Sequence, residues 1–575
     1  MPPDNKMTDN KLTESNTPMH KVHQTNDSAT NKISEQSEVI DKTNHNEAID
    51  KITDLKNKSA IDTIAKKYVN HPWIRQNVIE QREYQDEIAV KACQKNSLVV
   101  LPTGLGKTNI AVLVVAQRFQ KNMNTKILMM APTKPLVDQH RMTFERFLKL
   151  GPELKTITGA TEPNARAMLY GKTDIIFSTP QTVENDIKQG ILNLKEISLL
   201  IVDEAHRSVG NYAYVFVAEE YMRKSRDPLI LALTASPGSD KEKINEIKKK
   251  LFIEHVEIRE RDDIDVKPYV QKSSQAFIQV DLLPELRKIV NLLSNHKNTI
   301  IEMLISWRII RMPKISKVEL LRLQAQLAQN RTGSGLAALS YIAEILKIDH
   351  ALILAETQSV YALKKYLEKL ENENSKAAQR LIKNIAFQQA IDITRGLYEY
   401  NIEHPKIQRL ESLIESEMLR NRRVMIFAQY RDTVEAIVKM TKKLTNAKPV
   451  AFFGQAKKSG HGMNQKEQIK ILNEFKLGFY NVLCSTSIGE EGLDIAETDT
   501  VIFYEPIPSE IRKIQRQGRT ARSRPGKVLV MMTRGTRDEA FYWSGYHKEQ
   551  KMKKILHEMK NQQDKQTSLT QSTLS

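Results

Sequence analysis

A lysine and a threonine directly behind two glycines, in Leu101-Pro-Thr-Gly-Leu-Gly-Lys-Thr108, are the side chains that phosphate chemistry requires. Across Thr103, Gly104, Leu105, Gly106, Lys107 and Thr108, the glycines let backbone N–H groups close around a polyphosphate, Lys107 reaches the β- and γ-phosphates, and Thr108 offers a hydroxyl to Mg²⁺. Leu101 stands where the usual GxxxxGKS/T spacing has its first glycine, so the generic pattern is incomplete. Further along, Leu199-Leu-Ile-Val-Asp-Glu-Ala-His206 reads as an apolar strand ending in two carboxylates. Asp203 is placed to hold the Mg²⁺ shell and Glu204 to orient or deprotonate an attacking water, so ATP with Mg²⁺ is the expected cofactor pair. A third segment, Gln515-Arg-Gln-Gly-Arg-Thr-Ala-Arg522, sets Arg519 and Arg522 three residues apart, the spacing of one helical face. Beside Gln515 they suit arginine fingers that stabilise charge on a transferring γ-phosphoryl group. The competing reading is a surface cluster, with Arg512, Lys513 and Arg516 binding a phosphate backbone.

These groups need elements to hold them, and the hydropathy pattern supplies two similar sets. From Tyr68 to about Ile258, short apolar runs at Ser97–Leu101, Lys126–Ala131, Asp174–Ser178, Leu199–Val202 and Leu229–Leu233 alternate with amphipathic stretches. The texture returns at Arg423–Phe427, Pro449–Phe453, Asn481–Ser485, Thr500–Tyr504 and Lys527–Met532. Buried parallel strands joined by helices read this way, so the fold class is α/β with two parallel-sheet lobes, over residues 66–258 and 401–550. Residues 259–400 read as a linker and a mostly helical insert, with Leu363, Leu367 and Leu370 on one face and Lys364, Lys365 and Lys369 interleaved. Such a stretch is more simply a packed helix with a solvated face than a DNA contact.

The chain of 575 residues carries a formal charge of +18, which favours a polyanionic partner through counterion release. Cys93 and Cys484 are its only cysteines, far apart, so neither a disulfide framework nor a zinc site is supported and an intracellular setting is expected. No apolar run approaches the ~18 residues of a membrane span, and no membrane partner is expected. Residues 1–65 have no aromatic side chain and read as a disordered polar tail; residues 551–575 read as a second polar tail. In that second tail Gln566 and Leu569 have the spacing that begins a sliding-clamp peptide, but Ser572 and Thr573 stand where its aromatic pair belongs.

With the three sites in register, the chain resembles the superfamily 2 helicases of the DEAH-box kind, and more closely the archaeal Hef and Fanconi anaemia M family. The likeness extends over about Asn70 to Lys551 and includes His71-Pro-Trp-Ile74, Arg82-Glu-Tyr-Gln85, the continuation of Asp203 to Tyr214, Asp265-Val-Lys-Pro-Tyr-Val270 and His350-Ala-Leu. The resemblance implies RecA-like lobes, with Gln85 reading adenine beside Arg82 and Thr234-Ala-Ser236 linking hydrolysis to lobe movement. It implies that Pro132, Thr133 and Lys134, Thr179, Pro180 and Gln181, Gln429, Tyr430 and Arg431, and Thr486 and Ser487 grip a tracked strand, with Gly492 and Asp494 facing the nucleotide. Threonine, serine and backbone N–H donors hold phosphates without reading bases, which suits movement over any sequence. It further implies 3′ to 5′ movement on DNA, with forks and four-way junctions as substrates held through the insert, in replication-fork repair and recombination. The compartment follows the host: nuclear in a eukaryote, cytoplasmic in an archaeon. Longer members of the family continue into a nuclease domain for which this chain shows no acidic constellation, so DNA cleavage is not expected; a nuclease on another chain, or a sliding clamp, is the partner envisaged. A duplex-RNA-stimulated ATPase of the Dicer and RNA-sensor kind shares the lobes and the insert, and a binding scaffold with a vestigial ATPase is the remaining alternative.

Overall fold

Strands buried on both faces need apolar side chains pointing both ways, and the chain folds two sets of them into two sheets. The computed structural model describes residues 67–149, 151–271, 273–329, 333–454, 462–489, 495–517, 519–520 and 525–572. The tail expected over residues 1–65 lies outside them. The first set comprises β1 (Ser97–Val100), β2 (Lys126–Met130), β3 (Leu154–Thr156), β4 (Ile175–Ser178), β5 (Ile197–Val202), β6 (Ile230–Thr234) and β7 (His255–Ile258). They pair in parallel in the order β3-β4-β2-β5-β6-β1-β7. Alternate residues of one strand enter opposite apolar layers: Val99 and Leu101 pack with Ile127 and Leu199, Leu98 and Val100 with Leu128 and Leu200. β1 and β5 flank β6, so the loops that leave their C-terminal ends meet at one edge of the sheet, the usual place for a ligand in an open parallel sheet.

The second set is β8 (Ser273–Val280), β9 (Val424–Phe427), β10 (Pro449–Phe452), β11 (Val482–Ser485), β12 (Thr500–Phe503) and β13 (Gly526–Thr533), parallel in the order β10-β11-β9-β12-β13-β8. The ten apolar runs picked out in the sequence all appear as strands, within a residue or two at each end. β3, β7 and β8 were not anticipated. β8 corrects the domain reading, because it lies inside the stretch assigned to the linker and insert yet pairs along its whole length with β13 as an edge of the second sheet.

Between β8 and β9 the chain is helical: Pro284–Ser306, Lys317–Gln329, Gly333–Thr357, Val360–Glu371, Lys376–Lys383 and Ile385–Glu399 form the insert, and Pro405–Met418 leads into β9. Leu363, Leu367 and Leu370 are buried in the insert's own core. Two of their lysine neighbours are engaged within the protein and Lys369 is exposed: Lys364 pairs with Glu368, and Lys365 lies 2.6 Å from Asp432 and 3.2 Å from Glu435 on the Arg431–Thr441 helix of the second lobe. The packed-helix reading of this stretch is the one the geometry supports. More polar contacts fasten insert to lobe: the Thr433 hydroxyl donates to the Gln358 side chain (2.9 Å), and the Tyr504 hydroxyl to the Gln358 carbonyl (2.9 Å).

The reading of residues 551–575 as a polar tail is corrected at its start, over Met552 to Leu556. The Arg537–Ser572 helix starts against the second sheet and runs through this segment, and Met552 and Leu556 are buried in an apolar layer of the first lobe. Lysines dominate the composition there, but the buried residues recur at helical spacing and face inward together.

Candidate active site

The P-loop is a turn that only glycine accommodates. Gly104 and Gly106 have φ of +88° and +84°, and Gly106 caps the Lys107–Lys121 helix, whose first N–H groups therefore open toward the loop. A Cβ built on Gly106 would fall 2.4 Å from Gln85 Nε2. Gln85 is buried and braces the loop from behind: its Nε2 donates to the Leu105 carbonyl (2.9 Å), which also accepts from the Tyr84 hydroxyl (2.8 Å). Gln85 Oε1 is buried without a hydrogen-bond partner, an acceptor that a purine amino group would satisfy. Arg82 is held by Glu80 (2.8 Å) and lies over the Tyr269 ring. Lys107 Nζ donates to the Leu101 carbonyl at 3.0 Å, folded back into the loop that it would leave to meet a phosphate.

Asp203 and Glu204 follow β5. The Asp203 carboxylate accepts from His140 Nε2 at 2.8 Å, and its carbonyl accepts from the Tyr214 hydroxyl at 2.7 Å. Burial works to raise the pKa of this carboxyl, but the His140 imidazole and Lys107 outweigh it and hold it below the ordinary value, ionised as a cation ligand must be. His140, on the Lys134–Phe147 helix, is a site residue that sequence reasoning missed; nothing local marks it, because its partner is 63 positions away. Glu204 sits at φ +52°, a left-handed conformation costing about 1–3 kcal/mol in a non-glycine residue, which the surrounding structure must impose. From it a polar line runs on: His206 Nδ1 lies 3.2 Å from Glu204 and 3.2 Å from Thr234 Oγ1, Thr234 donates to the Ser236 carbonyl (3.0 Å), and Ser236 Oγ lies 2.9 Å from Met552 Sδ on the C-terminal helix. Replacing Glu204 with glutamine keeps the shape and removes the carboxylate expected to act on the attacking water. The expected result is ATP binding intact with single-turnover hydrolysis slowed by about 10²-fold or more, measured by rapid quench; unchanged turnover would remove Glu204 from the role.

The second lobe supplies the Glu510–Gln517 helix, which reaches the P-loop: Thr103 Oγ1 donates to the Ile514 carbonyl at 3.4 Å. Gln515 and Arg519 are buried on this segment, and Arg519 continues the turn through its N–H to the Arg516 carbonyl (3.2 Å). Arg522, Gly492 and Asp494 lie outside the described residues. The surface-cluster reading is corrected at two of its three positions. Arg516 is buried, with its guanidinium 4.8 Å from the Phe427 ring centre and 5.9 Å from that of Phe503, and Lys513 pairs with Glu549 at 2.7 Å.

The residues expected to grip a strand sit at loop ends. Thr133 and Thr179 precede the Lys134–Phe147 and Pro180–Lys188 helices without capping them through their hydroxyls, leaving the first N–H groups available to phosphate oxygens. Lys134 and Gln181 are exposed beside them, Pro132 is half-buried, and Pro180 occupies the first helical position. In the second lobe Gln429 and Ser487 are exposed, Thr486 is buried with its N–H on the Phe452 carbonyl, and Arg431 donates to the Gly454 carbonyl at 3.0 Å. Tyr430 is placed differently: its ring packs against the insert, 5.3 Å from His350, and burial pushes its hydroxyl up to about 12. It fastens the insert instead of facing outward.

Two parallel α/β lobes, with a P-loop and an Asp-Glu-Ala-His strand end in one and an arginine-bearing helix of the other against that loop, define a two-lobed helicase core with RecA-like lobes. The DEAD/DEAH box helicase family matches residues 82–244, the helicase conserved C-terminal domain residues 405–524, and the family described as "Putative ATP-dependent RNA helicase, helical bundle" residues 283–395. The crystal structure of the Pyrococcus furiosus Hef helicase domain is 41% identical, covers 82% of this chain and 99% of its own, and superposes with a TM-score of 0.65. A Methanocaldococcus jannaschii protein named "Putative ATP-dependent RNA helicase MJ1505" is 40% identical over 86% of this chain and 63% of its own length. The Schizosaccharomyces pombe ATP-dependent DNA helicase fml1 is 35% identical over 80% of this chain and 58% of its own length. The chain thus spans less than two thirds of these two curated relatives. It belongs to the superfamily 2 DEAH-box helicases of the archaeal Hef and Fanconi anaemia M family.

Proposed function

We propose that this chain is an ATP-driven motor that moves 3′ to 5′ along one DNA strand and remodels forked and four-way junctions. The observation that carries the reading is the approach of the second lobe's Glu510–Gln517 helix, which bears Gln515 and is followed by Arg519, to the first lobe's P-loop, at Thr103 and Ile514. A nucleotide held at that seam is touched from both lobes, so its turnover changes how they close.

The residues fit ATP and Mg²⁺: the glycine turn opens onto the first N–H groups of the Lys107–Lys121 helix, Gln85 keeps an open acceptor, and Thr108 and the ionised Asp203 are oxygen donors of the kind Mg²⁺ takes. The bound nucleotide supplies the phosphoryl group whose transfer to water drives the cycle. Lys107 neutralises phosphate charge, Glu204 orients water, and Arg519 with Arg522 stabilises charge from the second lobe.

A junction substrate suits the energetics. Opening plain duplex loses about 1.4 kcal/mol of stacking per base-pair step, whereas migrating a branch forms a new pair for each one broken. The insert offers a place to hold the branch. Its turn after the Pro284–Ser306 helix exposes Trp307, Arg308, Arg311, Met312 and Lys314 together. Changing Arg308, Arg311 and Lys314 to alanine should weaken fork binding and flatten its dependence on log salt by about 2–3 units. An unaltered slope in a salt titration would place the branch elsewhere.

The deciding experiment compares ATPase stimulation by single-stranded, duplex, forked and four-way DNA with duplex RNA. Forked or four-way DNA is expected to stimulate most. The relatives named as DNA helicases support this; one relative and the insert family carry RNA in their names, so stimulation by duplex RNA but not by forked DNA would reject the proposal in favour of an RNA-stimulated ATPase.

A further inference from the structure

The first turns of the C-terminal helix carry Tyr542, Trp543, Tyr546 and His547, and β8 sets Phe277 beside them. Large aromatic rings belong in a core, yet Trp543 is 54% exposed, Phe277 41% and Tyr546 38%. Several rings meet edge to face, Phe277 with Tyr542 at 5.0 Å and 75°, Trp543 with Tyr546 at 5.8 Å and 88°, and Tyr546 with His547 at 5.8 Å and 84°, while Tyr542 stacks on Tyr546 at 6.3 Å and 27° and Trp543 is tilted 46° to His547. These contacts hold the rings while Trp543 stays more than half exposed. Continuing along the same helical face, Gln550, Lys551 and Lys554 are exposed. Of the nearby acids, Glu549 is turned to Lys513, and Glu558 lies beyond Lys554.

The platform is rigid. Gly545 is buried where a Cβ would meet the Ile507 carbonyl oxygen at 2.4 Å, Lys548 donates to the Pro508 carbonyl (2.9 Å), and Lys513 binds Glu549 (2.7 Å). These contacts seat the aromatic turns on the second lobe, so little ordering cost remains for a ligand.

We infer that the Phe277–Trp543–Tyr546–His547 surface is a second nucleic-acid site, separate from the strand-gripping loops, which stacks unpaired bases of a single strand while Lys551 and Lys554 meet its phosphates. Exposed ring faces followed by cations at helical spacing match what a single strand offers, a base plane and a phosphate at each step. A protein partner would find little aliphatic surface here, since Glu539, Ser544 and Gln550 are among the neighbouring side chains on the helix and Ala540 is the exposed aliphatic one beside Trp543. The inference rests on the motor reading and adds to it a hold on an unpaired strand that travels with the second lobe.

The chain has three tryptophans, so Trp73→Phe with Trp307→Phe leaves Trp543 as the sole reporter. Titrating this full-length variant with oligo(dT), without nucleotide, should quench its emission at the concentrations where a labelled oligonucleotide binds by anisotropy. In the otherwise natural chain, Trp543→Ala should weaken single-strand binding about tenfold and Trp543→Tyr should restore most of it, with the thermal midpoint of both unchanged. Binding without quenching, or equal affinity for the alanine variant, overturns the site and leaves the surface to a protein partner; the motor reading survives if junctions still stimulate hydrolysis. If no nucleic acid binds or stimulates, both fall together.

Discussion

Lys107→Ala should stop ATP turnover while nucleic-acid binding persists. A methyl group cannot span from the helix start to the terminal phosphates, and losing one donor to developing charge slows comparable reactions by about 10²–10³-fold. The loop itself should survive, because its turn is set by Gly104 and Gly106 and its backbone is braced by Gln85 and Tyr84, whatever becomes of the lysine's bond to the Leu101 carbonyl. Phosphate release with saturating junction DNA, beside anisotropy of the same DNA, separates the two properties. Junction remodelling that continues in this variant would favour a scaffold with a vestigial site.

Asp538→Ala is expected to have the largest effect on stability, about 3–5 kcal/mol, read as a lowered urea midpoint. Lys406 and Asp538 form a wholly buried ion pair at the meeting of insert, second sheet and C-terminal helix. Lys406 Nζ also donates to the Thr357 carbonyl (3.1 Å) and lies 5.1 Å from the Tyr504 ring centre, and Asp538 accepts from the Thr533 N–H (2.9 Å). Burial lifts the Asp538 carboxyl against the pull of Lys406, and it drives neighbouring Glu505 up to about 7 despite Arg516 and Lys406. Removing one member strands a cation without water. The double change Lys406→Met with Asp538→Leu should recover much of the loss by apolar packing; no recovery would show that the pair is needed for more than neutralisation.

The strands most legible in the sequence were those buried on both faces, such as β5 and β9, where unbroken apolar runs leave little else to read. β8 escaped because Ser273, Ser274 and Gln275 open it and most of its residues stay exposed at the sheet edge. The P-loop and the Asp203–Glu204 pair could be read because their chemistry is local. His140 could not, nor could the turning of Tyr430 into the insert, since both depend on contacts made only once distant segments fold together. In the last helix, Lys551, Lys553 and Lys554 hid Met552, Ile555 and Leu556; the charged residues carry the composition and the apolar ones carry the packing.

That helix has a mechanical consequence. It is rooted against the second sheet near Asp538, and its Met552 and Leu556 are buried beneath the first. Drawing the lobes straight apart would bring those side chains into water at about 1.5–3 kcal/mol each. A swivel that keeps those side chains covered avoids that cost, and Ser236, whose Oγ lies 2.9 Å from Met552 Sδ, is where the helix touches the line of polar groups that starts at Glu204.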